Sequence, residues 1–600
     1  MKEKLLLSKI PDSAKPKEDM ETFGFYIYGG KYYIKEIKGK NSFDTQISNF
    51  VGKSLFHLVN GTNDSSRIIK LQRNTGETHL IEVKSSEMNL STFETILKSK
   101  QCTFLGNSYE LKKIFARWMD EEAEAIYINT LGWNREYQIY AFSNAIITTK
   151  GEVFSANDLG IADTGENGKY YLPAFGLANR NDENFETDRK FIFKDGELDF
   201  ENWAKLYYAA FESNGAIAIQ FLILSIFWDI VFDQVGFFPF LFLFGAYGTG
   251  KTTMVENLLR IFGNDYIGTP LNNATQVGLS RTIASRNNSI FYLKEYTSDT
   301  DLSNQDLLLT AYDGSGRATG IKTNDNRTRV AAVKSALILD GNENPTQKTS
   351  VLSRMVLLIF ENNKFSDFQT EAFRELELNH EKGFGQVFIE IIKNRAFFQK
   401  HFKKTFNKMI DELKENKEFD FSERTLKHVA LMLIPGKLFA EKLKFPFTFD
   451  ELKTMLIENA IEQNKLLKQT DEITIFWMAF ANGIKNETLK PFFYESDLSN
   501  NRKTAHYNLK QETNEGAILQ IKLQAIYQEY VKFCKNSNLR TLDLNSLKML
   551  LTSKSYKHFI PNNQKRKGDA YYDRYFWTCY QFILIKKENE LLINGVELNM

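Results

Sequence analysis

The sequence predicts a multidomain α/β protein whose central domain contains a parallel sheet flanked by helices. The chain has 600 residues, whereas single hydrophobic cores stop growing near about 250–300 residues, so several domains are expected. Apolar runs of strand length alternate with helix-compatible segments across residues 201–365, which is typical of helix-flanked parallel sheets. A glycine-rich segment at 245–252 separates one of these strands from the helix that follows it.

Changes in local pattern divide the chain into five regions. Glycine and alternating apolar residues near the start indicate hairpins, and the polar stretch after them indicates loops. The expected regions are a β-rich N-terminal accessory domain for DNA or partner docking (1–160), a linker or surface loops (161–200), the P-loop core (201–365), a helical domain (366–514) and a winged-helix-like C-terminal domain (515–600).

Composition restricts the classes of partner and compartment. A net charge of +1 argues against a uniformly basic surface, although a local basic channel remains compatible with nucleic acid. The three cysteines, Cys102, Cys534 and Cys579, have no metal-like spacing, which favours a reducing cytoplasmic compartment.

One apolar run is nearly long enough to span a membrane. Residues 216–232 read AIAIQFLILSIFWDIVF, but Gln220 and Asp229 lie inside the run and no basic flank follows it. We therefore expect a buried helix that packs behind the predicted parallel sheet, and no membrane span.

The glycine-rich segment has the context that a phosphate-binding P-loop requires, because an apolar run at 240–244 precedes it and a helix-compatible run at 253–262 follows it. Its main-chain amides and the helix dipole favour nucleotide phosphates, so ATP and Mg²⁺ are the expected cofactors. Lys251 is predicted to contact the β and γ phosphates, and the Thr252 hydroxyl to coordinate Mg²⁺. The alternative is a glycine turn that happens to carry Lys-Thr. The predicted nucleotide-binding residues are Gly245, Ala246, Tyr247, Gly248, Thr249, Gly250, Lys251, Thr252 and Thr253.

A second apolar run, at 289–293, ends in Lys294 and Glu295. We expect this strand to lie beside the P-loop strand, with Glu295 as the base or orienter of the attacking water and a contributor to the metal site. Many P-loop motors have two adjacent acids here, whereas Lys294 replaces the first, so Mg²⁺ is expected to depend mainly on Thr252 and the phosphates. The alternative for Glu295 is a surface ion pair.

A third apolar strand, at 335–340, leads into Gly341 and Asn342. An amide at that strand end can orient the lytic water against the γ-phosphate, so Asn342 is the predicted sensor. The alternative is a turn asparagine that tolerates left-handed geometry before Pro345.

Arg354 immediately precedes the apolar run at 355–360. From that position an arginine can reach the nucleotide of an adjacent subunit and stabilise transition-state charge, which makes Arg354 a predicted arginine finger. The alternative is an arginine that caps the end of a helix.

The ordered series GAYGTGKTT, IFYLKEY, a basic hairpin, ALILDGNENP and SRMVLLIF resembles the superfamily 3 helicases and their AAA+ relatives. These include helicases of small DNA viruses and primase–helicases of phages, plasmids and integrated elements. The Leu131-Gly132-Trp133 element is similar to the segment ahead of the motor in a phage and plasmid helicase-like family of uncharacterised function. The resemblance covers roughly residues 120–365 and implies a superfamily 3-like P-loop AAA+ core.

The resemblance also implies how such a protein works. Its relatives form hexameric rings around single-stranded or forked DNA, with each ATP site between two subunits, so a homo-hexamer, DNA and replication proteins are the expected partners. Two departures are visible in the series: Lys294 replaces an expected acid, and the usual Thr-Ser before the sensor asparagine reads Asp340-Gly341.

The segment between Glu295 and Asn342 predicts a basic hairpin, with strand-like flanks around the turn-rich sequence at 323–326. In the helicases that it resembles, this hairpin projects into the ring pore and grips the DNA backbone. The candidate phosphate contacts are Lys322, Arg327 and Arg329. The alternative is a surface hairpin with solvated charges.

The C-terminal region contains a second basic turn that could form the wing of a winged helix. Its candidate DNA contacts are Lys565, Arg566 and Lys567. The alternative is a solvated loop.

The sequence thus predicts an ATPase that couples hydrolysis to DNA translocation as a ring helicase, in replication of a phage, plasmid or integrated element. Two alternatives remain open. One is an ATP-gated DNA-binding initiator or scaffold with weak hydrolysis, which Lys294 favours. The other is a protein-remodelling ATPase, for example in phage defence, which the basic hairpin disfavours.

Overall fold

The structure is a computed structural model with eighteen α-helices and twenty-five strands among the residues that it describes. Those residues are 17–61, 64–120, 122–263, 268–297, 300, 302–320, 328–342, 349–361, 365–415, 421–470, 472–492, 504–510, 516–537, 539, 541–553, 556, 558–560, 579–587 and 590–598. The helices are α1 (Lys17–Thr22), α2 (Leu90–Ser99), α3 (Ser108–Met119), α4 (Glu186–Arg189), α5 (Phe200–Ile226), α6 (Trp228–Val235), α7 (Lys251–Leu259), α8 (Gln276–Ile283), α9 (Leu302–Tyr312), α10 (Thr349–Leu352), α11 (Asp367–His380), α12 (Gly385–Ile392), α13 (Arg395–Glu415), α14 (Glu423–Leu443), α15 (Phe449–Thr470), α16 (Glu472–Lys485), α17 (Leu523–Asn536) and α18 (Leu544–Leu551).

The strands fall into five sheets. They are β1 (Phe25–Tyr28), β2 (Lys31–Lys38), β3 (Asn41–Gln46), β4 (Phe50–Val59), β5 (Ser66–Arg73), β6 (Thr78–Lys84), β7 (Ala123–Tyr127), β8 (Leu131–Asn134), β9 (Ile139–Ala141), β10 (Ala145–Thr148), β11 (Val153–Ser155), β12 (Ile161–Asp163), β13 (Lys169–Tyr171), β14 (Phe240–Gly245), β15 (Thr269–Pro270), β16 (Arg286–Tyr296), β17 (Arg317–Gly320), β18 (Thr328–Ala331), β19 (Lys334–Gly341), β20 (Met355–Phe360), β21 (Tyr507–Lys510), β22 (Gly516–Ile521), β23 (Tyr580–Lys587), β24 (Glu590–Ile593) and β25 (Val596–Leu598).

The central sheet has nine strands in the order β11-β10-β9-β8-β16-β19-β14-β20, with β15 paired to β16. Strands β16, β19, β14 and β20 are parallel, so their carboxyl ends share one edge. The apolar run of β14 is buried along nearly its whole length, as expected for a parallel sheet covered on both faces. The predicted α/β core is therefore confirmed.

One expected neighbour relation was wrong. The strand that carries Glu295, β16, does not lie beside the P-loop strand β14, because β19 lies between them. The strand that leads to Asn342 is thus the direct neighbour of the P-loop strand, and β20 is its neighbour on the other side.

The first part of the long apolar run forms a buried helix as the sequence predicted, but the run is divided between two helices, because α5 ends at Ile226 and α6 begins at Trp228. Helix α5 is buried at every residue from Gly215 to Ile226. It is the single described helix that is long and apolar enough to cross a membrane, but 72% of its most apolar window is buried inside the protein, which fits a core helix. Asp229, in the following helix, accepts hydrogen bonds from Asn288 and Arg395, which explains why an acid is tolerated in the run.

The sheets and hydrophobic clusters place regional boundaries differently from the expected ones. Strands β8–β11 belong to the central sheet, so residues 131–155 are continuous with the core rather than with the N-terminal domain. Strands β12 and β13, inside the expected linker at 161–200, pair with each other, and β13 also pairs with β7. Helices α11–α14 and the first part of α15 share the core of the central sheet, whereas α16 packs with the C-terminal unit.

The two ends of the chain contain separate β-structures. At the N-terminus, β1 and β2 form the predicted hairpin, and both turn residues, Gly29 and Gly30, have positive φ, as a tight hairpin turn requires. At the C-terminus, α17 and α18 pack with the antiparallel sheet β21–β25. The basic turn at 562–567 lies outside the described residues, so the winged helix stays a prediction.

Gly132 is required for the contact between β8 and β16. It has a φ of +87°, and a Cβ atom would lie 1.9 Å from the Asn287 carbonyl oxygen. Gly76 has a similar φ of +97° but open space around it. Any side chain at Gly132 therefore meets both backbone strain and a clash, whereas Gly76 meets strain alone.

We expect Gly132→Ala to lower the unfolding temperature much more than Gly76→Ala in thermal unfolding followed by calorimetry. The substitution at Gly76 should cost about 1–2 kcal/mol for the left-handed backbone. The one at Gly132 should cost about 1–3 kcal/mol more, since the strands must separate. Equal shifts for the two variants would contradict this account.

Candidate nucleotide-binding site

The glycine-rich loop, which the sequence predicts to be a P-loop and which keeps that name below, connects the carboxyl end of β14 to the first turn of α7. Gly248 and Gly250 have φ values of +81° and +88°, which glycine adopts without the penalty of a side chain. At Gly245 a Cβ atom would lie 2.4 Å from the Phe360 carbonyl oxygen of β20. The Thr249 hydroxyl donates to the Ala246 carbonyl oxygen at 2.9 Å, so this side chain stabilises the loop itself.

Lys251 is the first residue of α7, and only 6% of it is exposed. Its ammonium donates to the carbonyl oxygens of Gly245 and Ala246, both at 2.8 Å, and to Asn342 Oδ1 at 3.0 Å. Burial lowers the pKa of Lys251, and the negative charge of Asp340 opposes that shift. The ammonium is therefore placed among acceptors that phosphate oxygens can replace.

A pocket of about 690 Å³ opens at this sheet edge, within the range of small-molecule sites. It brings together the P-loop and the carboxyl ends of β16 and β19. Its lining residues are Tyr247, Gly248, Thr249, Gly250, Lys251, Thr252, Thr253, Asn272, Lys294, Glu295, Tyr296, Thr297, Asp340, Gly341, Asn342 and Phe365. Lys251, Thr252, Glu295 and Asn342 are thus brought to one site, and the amides at the start of α7 are directed to the same space.

Glu295 lies on a bulge at the end of β16. Leu293 pairs with Leu339 and Tyr296 with Gly341, so two residues of β16 face Asp340 alone. The backbone N–H of Glu295 donates to Asp340 Oδ1 at 2.9 Å, and Glu295 has a φ of +62°. Bulges and left-handed non-glycine residues are found preferentially at functional sites, where they redirect a side chain.

Lys294, the residue that replaces an expected acid, forms an ion pair with a residue of α7. Its ammonium pairs with Glu256 at 3.3 Å and lies 5.3 Å from the centre of the Tyr292 ring. The lysine thus has a structural partner beside the pocket.

Arg354 lies at the opposite edge of the sheet from the P-loop. Because Phe240 pairs with Met355 at the amino ends of β14 and β20, the six-residue strand separates Arg354 from the loop by about 20 Å. Its guanidinium donates to the Ser350 carbonyl oxygen at 2.8 Å and lies 5.3 Å from the Tyr312 ring. The structure therefore does not bring Arg354 to the phosphate site of its own chain, and its role in a neighbour's site stays a prediction.

The basic segment forms the expected two-stranded hairpin, in which β17 pairs with β18 and Thr319 faces Arg329. Lys322 and Arg327 lie outside the described residues, as do Lys565, Arg566 and Lys567. Of Arg329 only the backbone is described. The hairpin leaves the central sheet at the amino end of β19, the edge where Arg354 lies.

Two features of the site were not assigned from the sequence. The first is Asp340, which the motif series in the sequence already showed within an apolar strand but to which no role was assigned. The second is an apolar pocket of about 260 Å³ beside the P-loop, which joins α5, α7 and α11 and which strand or motif patterns do not reveal. Its lining residues are Ala210, Phe211, Gly250, Thr253, Phe365, Gln369, Thr370 and Phe373.

Comparison with known proteins shows which kind of fold the chain has. No family model and no curated protein sequence matches this chain. Among solved structures, it is similar to the active helicase SCCmec type IV Cch, with a TM-score of 0.55 and 13% identity over 94% of this chain and 97% of that one. The NrS-1 C-terminal region (TM-score 0.25, 11% identity, 66% of this chain and 90% of that one) and JCV helicase (0.20, 15%, 38% and 63%) have TM-scores too low to support an argument. The chain therefore has a helicase-like fold.

We expect Lys251→Ala to weaken the binding of a fluorescent ATP analogue by about 10–100-fold, since a hydrogen bond to a charged group contributes about 1.5–3 kcal/mol. Binding is measured by fluorescence anisotropy. Lys205→Ala is the matched control, because Lys205 lies on the exposed side of α5 and pairs with Glu201. Unchanged affinity in the Lys251 variant would exclude this lysine from the phosphate site.

Proposed function

We propose that this protein is an ATP-dependent DNA helicase or translocase of the superfamily 3 type. The observation that carries the proposal is the contact between Lys251 and Asn342, which joins the P-loop to the sensor position within a helicase-like fold. Either residue alone is common, but their convergence with Glu295 in one pocket provides what phosphoryl transfer to water needs: a phosphate grip, a polar orienter and a carboxylate.

The P-loop amides and Lys251 would bind the triphosphate, and the Thr252 hydroxyl would coordinate Mg²⁺. Mg²⁺ would neutralise charge on the β and γ phosphates. Glu295 would orient and deprotonate the attacking water. Asn342 Oδ1 accepts a hydrogen bond from the Lys251 ammonium. Transfer of the ammonium to phosphate oxygens would release this amide to orient the water, which would couple nucleotide binding to assembly of the site.

The apolar pocket beside the P-loop supports a nucleotide as the ligand. It shares Gly250, Thr253 and Phe365 with the loop and its surroundings, and it adds the aromatic rings of Phe211 and Phe373. An adenine base has apolar faces and a polar rim, so aromatic walls with Gln369 at the margin suit it.

The opposite edge of the sheet would engage DNA and the neighbouring subunit. Hairpin β17–β18 leaves the sheet there, and the basic residues Lys322 and Arg327 between its two strands in the sequence would contact phosphates in the pore of a homo-hexamer. Arg354, at the same edge, would complete the ATP site of the adjacent subunit. Hydrolysis at the carboxyl edge of the sheet would then move the hairpin at the amino edge. Such movement along DNA suits replication of a phage, plasmid or integrated element.

We expect single-stranded DNA to stimulate ATP hydrolysis by the purified protein strongly at low salt and less at moderate salt, because phosphate contacts release counterions. Steady-state hydrolysis is measured with and without DNA at both salt concentrations. A flat response with negligible turnover would instead indicate an ATP-gated initiator or scaffold. A flat response with brisk turnover would indicate a protein-remodelling ATPase.

We expect Glu295→Gln to reduce the rate of ATP hydrolysis by about 10²–10⁴-fold, the usual contribution of a general base, while ATP binding is retained. Single-turnover hydrolysis and equilibrium binding are measured on the same preparation. Glu441→Gln removes the same charge from the exposed surface of α14 and should change neither quantity. If the Glu295 variant hydrolyses ATP at the normal rate, another group activates the water.

A further inference from the structure

The structure connects the two departures of the motif series. Lys294 stands where an acid is expected, and Asp340 stands where a hydroxyl residue is expected. These positions lie side by side, because the bulge of β16 places Lys294 and Glu295 opposite Asp340 of β19. The negative charge that is missing from one strand is therefore present on the next one.

Asp340 is well placed for a role at the phosphate site. Only 7% of it is exposed, and it lines the same pocket as Lys251 and Thr252. Its backbone pairs with Leu243 of the P-loop strand, so it lies one strand closer to the P-loop than Lys294 does.

Asp340 lies close to the expected metal position. Tyr292 of β16 pairs with Ile338 of β19, and alternate residues of a strand lie on the same face, so Asp340 shares a face of the sheet with Tyr292. Thr252 lines the same pocket as Asp340. The Asp340 carboxylate is therefore in the pocket that contains the hydroxyl expected to coordinate Mg²⁺.

Charge balance favours the binding of a cation by the Asp340 carboxylate. The Lys251 ammonium lines the same pocket as the Asp340 carboxylate and donates to Asn342, two residues further along the chain. If nucleotide phosphates bound this ammonium, the buried carboxylate would be stabilised by another cationic partner, because an unpaired buried charge is costly. Lys294 cannot fill this role without leaving Glu256.

We propose that Asp340 supplies the carboxylate that holds the nucleotide-bound Mg²⁺ through a water molecule, in place of residue 294. The inference rests on the proposed nucleotide-binding function. One oxygen of the carboxylate accepts the Glu295 N–H. A carboxylate has two oxygens with several acceptor positions, so it can also accept from a metal-bound water.

The substitution Asp340→Asn distinguishes a role of Asp340 in Mg²⁺ binding from a role in maintaining the bulge of β16. The asparagine Oδ1 can still accept the Glu295 N–H and maintain the bulge, whereas the negative charge is lost. A fluorescent ATP analogue is titrated in EDTA and then across Mg²⁺ concentrations. We expect normal affinity in EDTA and a Mg²⁺ requirement raised by about 10–100-fold, as is typical when a partner of a metal ligand is removed.

A rescue variant tests the exchange between strands. Adding Lys294→Asp to Asp340→Asn should restore most of the Mg²⁺ dependence, whereas adding Lys294→Asn, which also removes the pair with Glu256, should not. Restoration by both second substitutions would overturn the proposal, because the effect would then come from removal of the lysine.

The remaining outcomes separate this inference from the proposed function. An unchanged Mg²⁺ requirement in Asp340→Asn overturns the inference alone, and so does equal loss of affinity with and without Mg²⁺. No ATP binding by the wild-type chain overturns the proposed function as well.

If Asp340→Asn does not fold, the wild-type complex is tested instead. Fe²⁺ replaces Mg²⁺, ascorbate and peroxide are added, and we expect the backbone to be cleaved beside Asp340. Cleavage confined to other segments would overturn the inference.

Discussion

The parallel pairing of β14 with β19 and β20 is the constraint on which the rest of the molecule depends. Parallel strands end at a common edge, so this pairing brings the P-loop and the residues after β19 within hydrogen-bond distance of each other. It also fixes the opposite edge, from which hairpin β17–β18 and Arg354 extend. The buried part of helix α5 packs against β16 of the same sheet.

The two edges divide the proposed work of the protein. The carboxyl edge collects charged and polar groups around a pocket, whereas the amino edge presents the hairpin and an arginine that contacts Tyr312. A closely packed interior does not deform continuously. A small shift at one edge of the sheet would therefore move whole helices or strands. This suits a motor in which phosphate binding at one edge repositions the hairpin at the other.

Positions 294 and 340 together show how a carboxylate can be present at this sheet edge although a lysine replaces the expected acid of the motif. The bulge of β16 has one residue more than the strand it faces, and Asp340 compensates by accepting the Glu295 N–H. The same carboxylate remains inside the pocket. Lys294 meanwhile joins β16 to α7 through Glu256, which strengthens the connection between that strand and the P-loop helix.

The sequence by itself determined the elements of the core and the place of the P-loop, because period, length and glycine position are local properties of the chain. It also singled out Lys251 and Asn342 as residues of one site, which the hydrogen bond between them now joins. Only the tertiary structure decided that β19 lies between β16 and β14, that strands β8–β11 extend the central sheet, and that Phe211, Phe365 and Phe373 line one pocket beside the loop. These are relations between distant segments, set by packing and hydrogen-bond pairing, and no local pattern encodes them.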